Sequence, residues 1–593
     1  MLKEIEKLIN HELAKTPDLK LGDFGAPVLF RVKNPEEVIE KVKELGYVEE
    51  VIKAGGYLNV KLNRAKVLEY LLSFKPKKSV DFSGKIVVEH TSVNPNKAMH
   101  IGHLRNACIG DSIARFLREL GYEVEVHNYI DDTGVQVAAT LLGFIGLENI
   151  EKIRDEKFIE EVKKKIEEIE NIDEYCWNLY SEVYKKYSEE ELSTAIKKIL
   201  REIEDCNSPV HDLAVFLAER ILEKHLSLLH SIGITYDFLP RESDILKSGL
   251  WSTVFEEMKK SKNFVYETQG KNAGCWVVKL SEHENFKNLK DPDKVIVRSD
   301  GTVTYTGKDI AYHFWKFGIV KKDIGCRKFK FGAYISSYGE RCCKEFGNAR
   351  RVINVIDVRQ SYAQDVVKAC LQALGYEEEA RNFIHYAYEV VALSDKSTGY
   401  FKHMSGRKGI GIMAQELVKA LKRKAREEVE KRYEGIEETE KEKIVNAITV
   451  SALRFYMLRQ NISRVLVFDI DDAVRFDGNT GVYLLYTLVR AENILKKSHC
   501  EEMSVEELSD EEWELVRELL LVEKVVEKVE RTLDLTVISD YAMNLAKKFN
   551  EFYHKCRVIG DERESVRIAV VRAFLNVFSF LARVIGIEKV ERI

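Results

Sequence analysis

Two imidazoles one glycine apart, in His100-Ile101-Gly102-His103, follow a β-branched run, Lys85-Ile86-Val87-Val88-Glu89, and precede a helical pattern. The run ending near Val93 reads as a buried strand. Leu104 to Leu120, apolar at 109, 113, 116, 117 and 120, reads as a helix that Gly121 stops. A strand feeding a helix turns free backbone N–H groups and the positive end of the helix dipole toward the intervening loop, which favours phosphate oxygens. Gly102 allows a flat ring to lie close to the backbone. Imidazoles there can donate hydrogen bonds as charge builds on a phosphate. Taken alone, the four residues suit a helix start with surface histidines equally well.

The elements that must hold these residues fit a large multidomain chain of 593 residues and 68.4 kDa. A hydrophobic content of 45% is ordinary for packed cores. There is no run of 18 apolar residues, and the charged amphipathic start at Met1 is not a secretory signal, so a cytoplasmic protein is expected. Ten cysteines without a C-x-x-C pair indicate neither zinc nor a disulfide framework, and reduced thiols are the expectation. A net charge of −5 does not advertise a nucleic-acid binder, so any RNA contact must use local basic surfaces.

The fold class read from this pattern is α/β, a doubly wound parallel sheet with ligand at the carboxyl ends of its strands. Residues 1–80 read as a small N-terminal α/β module. Residues 83–400 read as a nucleotide-binding domain carrying a charge-rich helical insertion at 151–232, with no chemistry assigned to the insertion. Residues 401–412 read as a basic glycine-containing loop, and 413–593 as a helical domain. Lys75, Lys77 and Lys78 suit either a phosphate-contacting linker or a solvated boundary. Asp300-Gly301 reads as a hairpin turn and Val303 to Tyr305 as a short strand delivering Tyr305 and Asp309 to a helix start, where Asp309 in isolation would be an N-cap.

With Glu89, Asn94 and Lys97 ahead of His100, and Asp132, Gly134 and Gln136 after it, the chain resembles the arginyl-tRNA synthetases of class I. Val93 stands where many relatives have Pro. The second signature of the class, KMSKS, has its best match at Lys402-His403-Met404-Ser405-Gly406-Arg407-Lys408, with Gly406 in place of the second Lys. The resemblance extends to Ala54-Gly55-Gly56-Tyr57-Leu58-Asn59, to Asp477-Gly478-Asn479-Thr480 before Tyr483-Leu484-Leu485-Tyr486, and to the closing residues, and is weakest in 150–232.

The resemblance implies a Rossmann-like catalytic domain, ATP as substrate with Mg²⁺, and L-arginine and tRNA(Arg) as partners, in a monomer not bound to membrane. It implies catalytic roles for Lys97, His100 and His103, with Lys97 replacing the charge missing at Gly406. ATP would be bound by Gly102, Met404, Ser405, Arg407 and Lys408. Arginine would be bound by Glu89, Asn94, Tyr305, Asp309 and Gln360. Paired carboxylates suit a guanidinium, whose planar fork of donors an ammonium does not reproduce. After Gln360, Ser361-Tyr362-Ala363 depart from the usual pattern. Tyr483 and Tyr486 lie three apart on one helical face, where they would stack tRNA bases or fill core. The family also activates its amino acid only with tRNA bound. A class I synthetase for another amino acid and a non-catalytic tRNA-binding relative are the competing readings.

Overall fold

A computed structural model of the chain describes all residues except 282, 285, 288–291, 395–400, 403–411, 434, 501 and 593. Its centre is a seven-stranded sheet in the order Cys326–Lys328, Tyr334–Ser336, Phe238–Leu239, Val124–His127, Ile86–Glu89, Arg351–Asp357, Phe383–Tyr388. Six strands run parallel, and only the edge strand Cys326–Lys328 is antiparallel to its neighbour. Strand order reverses direction at Ile86–Glu89, which the chain leaves toward Val124–His127 on one side and rejoins with Arg351–Asp357 on the other. Such a switch point opens a crevice at the strand ends. Glu89 stands there in register with His127 and Asn354.

All four residues of Ile86–Glu89 are buried, as strands covered by helices on both faces require. The next residues turn sharply: Thr91 and Ser92 have φ of 73° and 41°. This left-handed backbone is costly for a β-branched threonine, so it persists only when braced. Braces are present. The Thr91 N–H donates to Asn106 Oδ1 at 2.5 Å, the Ser92 N–H to Asn128 Oδ1 at 2.9 Å, and the Thr91 hydroxyl meets the Tyr236 hydroxyl at 2.6 Å. The helix that follows, Ile101–Glu119, is buried along most of its length. Gly110 admits the His90 ring, because a Cβ there would lie 2.2 Å from His90 Cγ.

The segment 151–232 forms helices Glu156–Glu167, Ile172–Lys186, Glu189–Glu204 and Pro209–His230, which share an apolar core with Val135–Ile145. The first 72 residues build a four-stranded antiparallel sheet with flanking helices. They dock on the C-terminal helices, where Trp513 Nε1 donates to buried Asp23 at 2.6 Å. The C-terminal bundle is organised around Glu564–Ile585. That helix is long and apolar enough to cross a membrane, but 72% of its apolar window is buried within the protein, as a central core helix would be. Arg454 ties the C-terminal bundle to the helix Ile101–Glu119. Fully buried, it donates to Asp111 at 2.5 Å and to the carbonyls of Ile232 and Ile585. Breaking one partner of such a buried pair costs about 3–5 kcal/mol.

Two local expectations change. Val303 makes a single bridge with Val297 instead of a strand, and Thr304 caps the helix Tyr305–Lys316 by accepting from the Gly307 N–H, which leaves Asp309 inside the helix and free of capping duty. Cys326 and Cys342, expected as reduced thiols, form a disulfide, which two cysteines separated by 16 residues do not announce.

Candidate active site

His100 is the N-cap of the helix Ile101–Glu119, and its ring does the capping: Nδ1 accepts from the Gly102 N–H at 3.1 Å. His103 returns the favour, its Nδ1 accepting from the His100 N–H at 3.1 Å. The rings stack at 3.6 Å between centroids. A Cβ on residue 102 would lie 3.0 Å from the His100 ring, so glycine is what permits the arrangement. Burial lowers the His100 pKa to about 4, with Lys97 adding to the effect, and takes His103 well below its ordinary value. Each ring is therefore neutral near pH 7 with Nδ1 occupied as an acceptor, so its proton sits on Nε2, as a donor. Both rings line a cavity of about 240 Å³ together with Asn94, Lys97, Gln136 and Tyr180.

Met404, Ser405, Arg407 and Lys408 lie outside the described residues. Their flanks are placed: Phe401–Lys402 pairs with Val391–Ser394, and Met413 bridges His100 while the Ala414 N–H donates to the Met99 carbonyl at 2.8 Å. Met413 and Ala414 thus lie directly on the imidazole loop.

A second region adjoins the cavity through Asn94, whose Nδ2 donates to Asp131 at 3.1 Å. Here carboxylates gather. Lys316, fully buried, donates to Glu89 at 2.9 Å and to Asn354 Oδ1 at 3.2 Å. His313 Nδ1 donates to the Asp309 carbonyl at 2.7 Å, so its Nε2 is the acceptor that faces both Lys316 and Asn354. Burial lowers the pKa of Lys316, and Glu89 opposes that fall. Asp309 differs. Burial and then the neighbouring Glu89 push its pKa up to about 7, and Lys316 only partly offsets them. Asp131 is likewise pushed to about 7 by burial and by Glu242, and its second oxygen is buried without a partner among the described residues. Glu242 is satisfied by Tyr129, Thr133 and Lys308. Tyr305 opens the helix that carries Asp309 and Lys316 and is 63% exposed.

The structure therefore brings Glu89, Asn94, Tyr305 and Asp309 into one neighbourhood, beside Lys97, His100, Gly102 and His103. Gln360 is not brought in. It is exposed at the end of a short turn, whereas Gln364, one helical turn on, accepts from Asn354 at 3.1 Å and reaches the lysine network. Sequence reasoning passed over Lys316, Asp131 and Glu242. The spacing 309, 313, 316 puts three polar groups on one helix face, a signal for the first of these. It also assigned nothing to 151–232, which supplies Tyr180 and Trp177 beside Lys97.

Tyr483 and Tyr486 lie far along the chain, half-buried on the helix Gly481–Lys497. The Tyr483 hydroxyl accepts from Asn550 at 2.9 Å and the Tyr486 hydroxyl from Arg490 at 2.5 Å. Tyr486 borders a groove of about 740 Å³ with Arg490, Lys497, Tyr553, Lys555 and Arg557. Tyr483 does not line it.

Comparison with known proteins agrees with this geometry. The family description "tRNA synthetases class I (R), catalytic domain" matches residues 67–325 and 317–470, and "DALR anticodon binding domain" matches 484–593. The chain is 35% identical over 638 residues to an arginine–tRNA ligase of Thermococcus kodakarensis, covering 100% of this chain and 97% of the relative. It is 33% identical over 576 residues to one of Thermus thermophilus, covering 93% and 90%. The solved arginyl-tRNA synthetase of Thermus thermophilus superposes with a TM-score of 0.83 at 30% identity, over 100% of this chain and 99% of that one. With family models over the catalytic and C-terminal regions and relatives at 33–35% identity over nearly the whole chain, the chain belongs to the class I arginine–tRNA ligase family.

Proposed function

We propose that this protein joins L-arginine to the 3′ end of tRNA(Arg) at the expense of ATP. The observation that carries the assignment is Asp309, a half-buried acid beside Glu89 whose charge Lys316 only partly offsets, since Lys316 is hydrogen-bonded to Glu89. Such a pocket gains most from a ligand that brings a fixed cation with several donors.

In the first step the arginine carboxylate attacks the ATP α-phosphorus in line and pyrophosphate leaves. The Nε2–H groups of His100 and His103, the Gly102 backbone and Lys97 meet the charge developing on phosphate. Met404, Ser405, Arg407 and Lys408 are read as completing ATP binding. Glu89, Asn94, Tyr305 and Asp309 orient arginine, with Gln364, and not the exposed Gln360, joined to their network through Asn354. Preorganised donors of this kind are worth about 10²–10³ in rate each. In the second step the terminal ribose hydroxyl of tRNA attacks the mixed anhydride and takes the arginine. Among the described residues no three His, Cys, Asp or Glu groups converge as a cation cage. Mg²⁺, bound with ATP, would supply neutralisation of the phosphate charge.

The groove beside Tyr486, rich in arginine and lysine, suits the anticodon loop, and Tyr483 supports it from behind. The N-terminal module is read as a second tRNA contact. The protein is read as a cytoplasmic monomer. Aminoacylation of tRNA(Arg) across a panel of amino acids tests the assignment: arginine alone should be charged, and pyrophosphate exchange should be negligible without tRNA. Preference for lysine or glutamate, or no turnover of ATP with arginine and tRNA present, would refute it.

A further inference from the structure

We propose that Tyr180, on the insertion helix Ile172–Lys186, is a positioning residue for Lys97 in adenylate formation. The proposal rests on the reading of Lys97 as the cation that meets the ATP phosphate.

Three contacts converge on this one lysine from 151–232. Its Nζ lies 4.0 Å from the centroid of the Tyr180 ring and 5.5 Å from that of Trp177. Its carbonyl accepts from His225 Nε2 at 2.8 Å. The next residue, Ala98, donates its N–H to the Asp173 carbonyl at 2.9 Å. Asp173, Trp177 and Tyr180 share one face of a helix, spaced by four and three residues. Tyr180 also lines the cavity that holds His100 and His103, and it is almost fully buried. The same helix reaches the element that follows the basic loop: Asp173 Oδ2 accepts from Gln415 at 3.2 Å, and Glu174 pairs with Lys419 at 3.3 Å.

The choice of a ring has a physical logic. A flexible four-carbon stem lets an ammonium wander, and ordering it on substrate binding costs side-chain entropy. An aromatic face attracts the ammonium and sets its direction without cancelling its charge, so the charge stays available to phosphate. A carboxylate at 180 would hold the lysine more strongly and neutralise it. The charge-rich insertion thus contributes an aromatic wall to the nucleotide end of the site.

The test is a double-mutant cycle in arginine-dependent ATP–pyrophosphate exchange with tRNA present, using Lys97→Ala, Tyr180→Leu and their combination. Tyr180→Phe serves as the conservative control, and Tyr180→Met is measured alongside in case leucine disturbs the helix core. Tyr180→Leu and Tyr180→Met should lower kcat/KM for ATP about tenfold with the KM for arginine unchanged, and Tyr180→Phe should stay within about twofold of the parent. On the Lys97→Ala background the leucine substitution should add nothing further. Losses that multiply in the double variant, a phenylalanine variant as poor as leucine, or full activity in Tyr180→Leu would overturn the role of Tyr180 while leaving Lys97 in place. Full activity in Lys97→Ala would overturn the reading of Lys97 itself, and this proposal with it.

Discussion

The two ends of the site bury ionisable groups in opposite ways. At the nucleotide end, His100 and His103 are driven neutral, and their Nδ1 atoms are consumed by backbone N–H groups so that only Nε2 is left to donate. At the other end, Glu89, Asp309, Asp131 and Glu242 crowd around two lysines, and Asp309 and Asp131 carry pKa values raised to about 7. One end presents fixed neutral donors that need no change of charge to stabilise an anion. The other end holds acids in tension until a cation arrives. Specificity is therefore concentrated where electrostatic cost is stored, and rate where geometry is already set.

The largest effect should come from Asp309→Ala. Losing this acid should lower kcat/KM for arginine about a thousandfold, in line with a loss of about 4 kcal/mol for one partner of a buried charge pair, with the KM for ATP little changed. An equal loss in both substrates' parameters would mean that Asp309 only holds the fold.

Next is Lys316→Met, which leaves Glu89 buried beside Asp309 without its cation. Stability to denaturant should fall by about 3 kcal/mol, and the double variant Glu89→Gln/Lys316→Met should recover much of it. If the single and double variants are equally unstable, the pair is not what balances this pocket.

At the nucleotide end, His100→Ala should reduce pyrophosphate exchange about a hundredfold, and His100→Gln, which keeps an N–H donor, should lose less. Activity should also show no titration of His100 between pH 6 and 8, because its ring is already neutral there. The smallest effect is expected at Tyr483→Phe: its hydroxyl is spent on Asn550, so the KM for tRNA should move less than about twofold while stability drops by about 1 kcal/mol.

Much of the nucleotide end was legible in sequence because it is local. A β-branched run and a helix beginning at a histidine lie within some twenty residues, and their spacing brings His100, Gly102 and His103 together, while Lys97 was supplied by the resemblance. The acid end is assembled from positions 89, 94, 131, 242, 309, 316 and 354, whose meeting depends on strand order and helix packing that no local pattern encodes. Resemblance supplied Glu89, Asn94, Tyr305 and Asp309, but not the lysine that sets their charge balance. Gln360 and Gln364 differ by one helical turn, and only the path of the backbone after Asp357 decides which faces inward. Tyr180 was hidden for another reason: its helix has the charge pattern of a solvated surface, and its inward face is visible only once the helix is docked.

The most direct test of the charge-balance account is proton release on arginine binding, measured by calorimetry at pH 6.5 in buffers of different ionisation heat, with tRNA bound. Asp309 has a folded-state pKa near 7, so it is mostly protonated at that pH and must ionise to receive a guanidinium. Affinity for arginine should accordingly rise as pH rises through 7. The same upward shift means that, for this group, the ligand-free protein loses stability as pH rises from the unfolded value toward 7, since the folded state keeps a proton that the unfolded chain has released. The account predicts net proton release on arginine binding, markedly reduced in Asp309→Asn. Binding without proton release, or release that persists unchanged in Asp309→Asn, would contradict it.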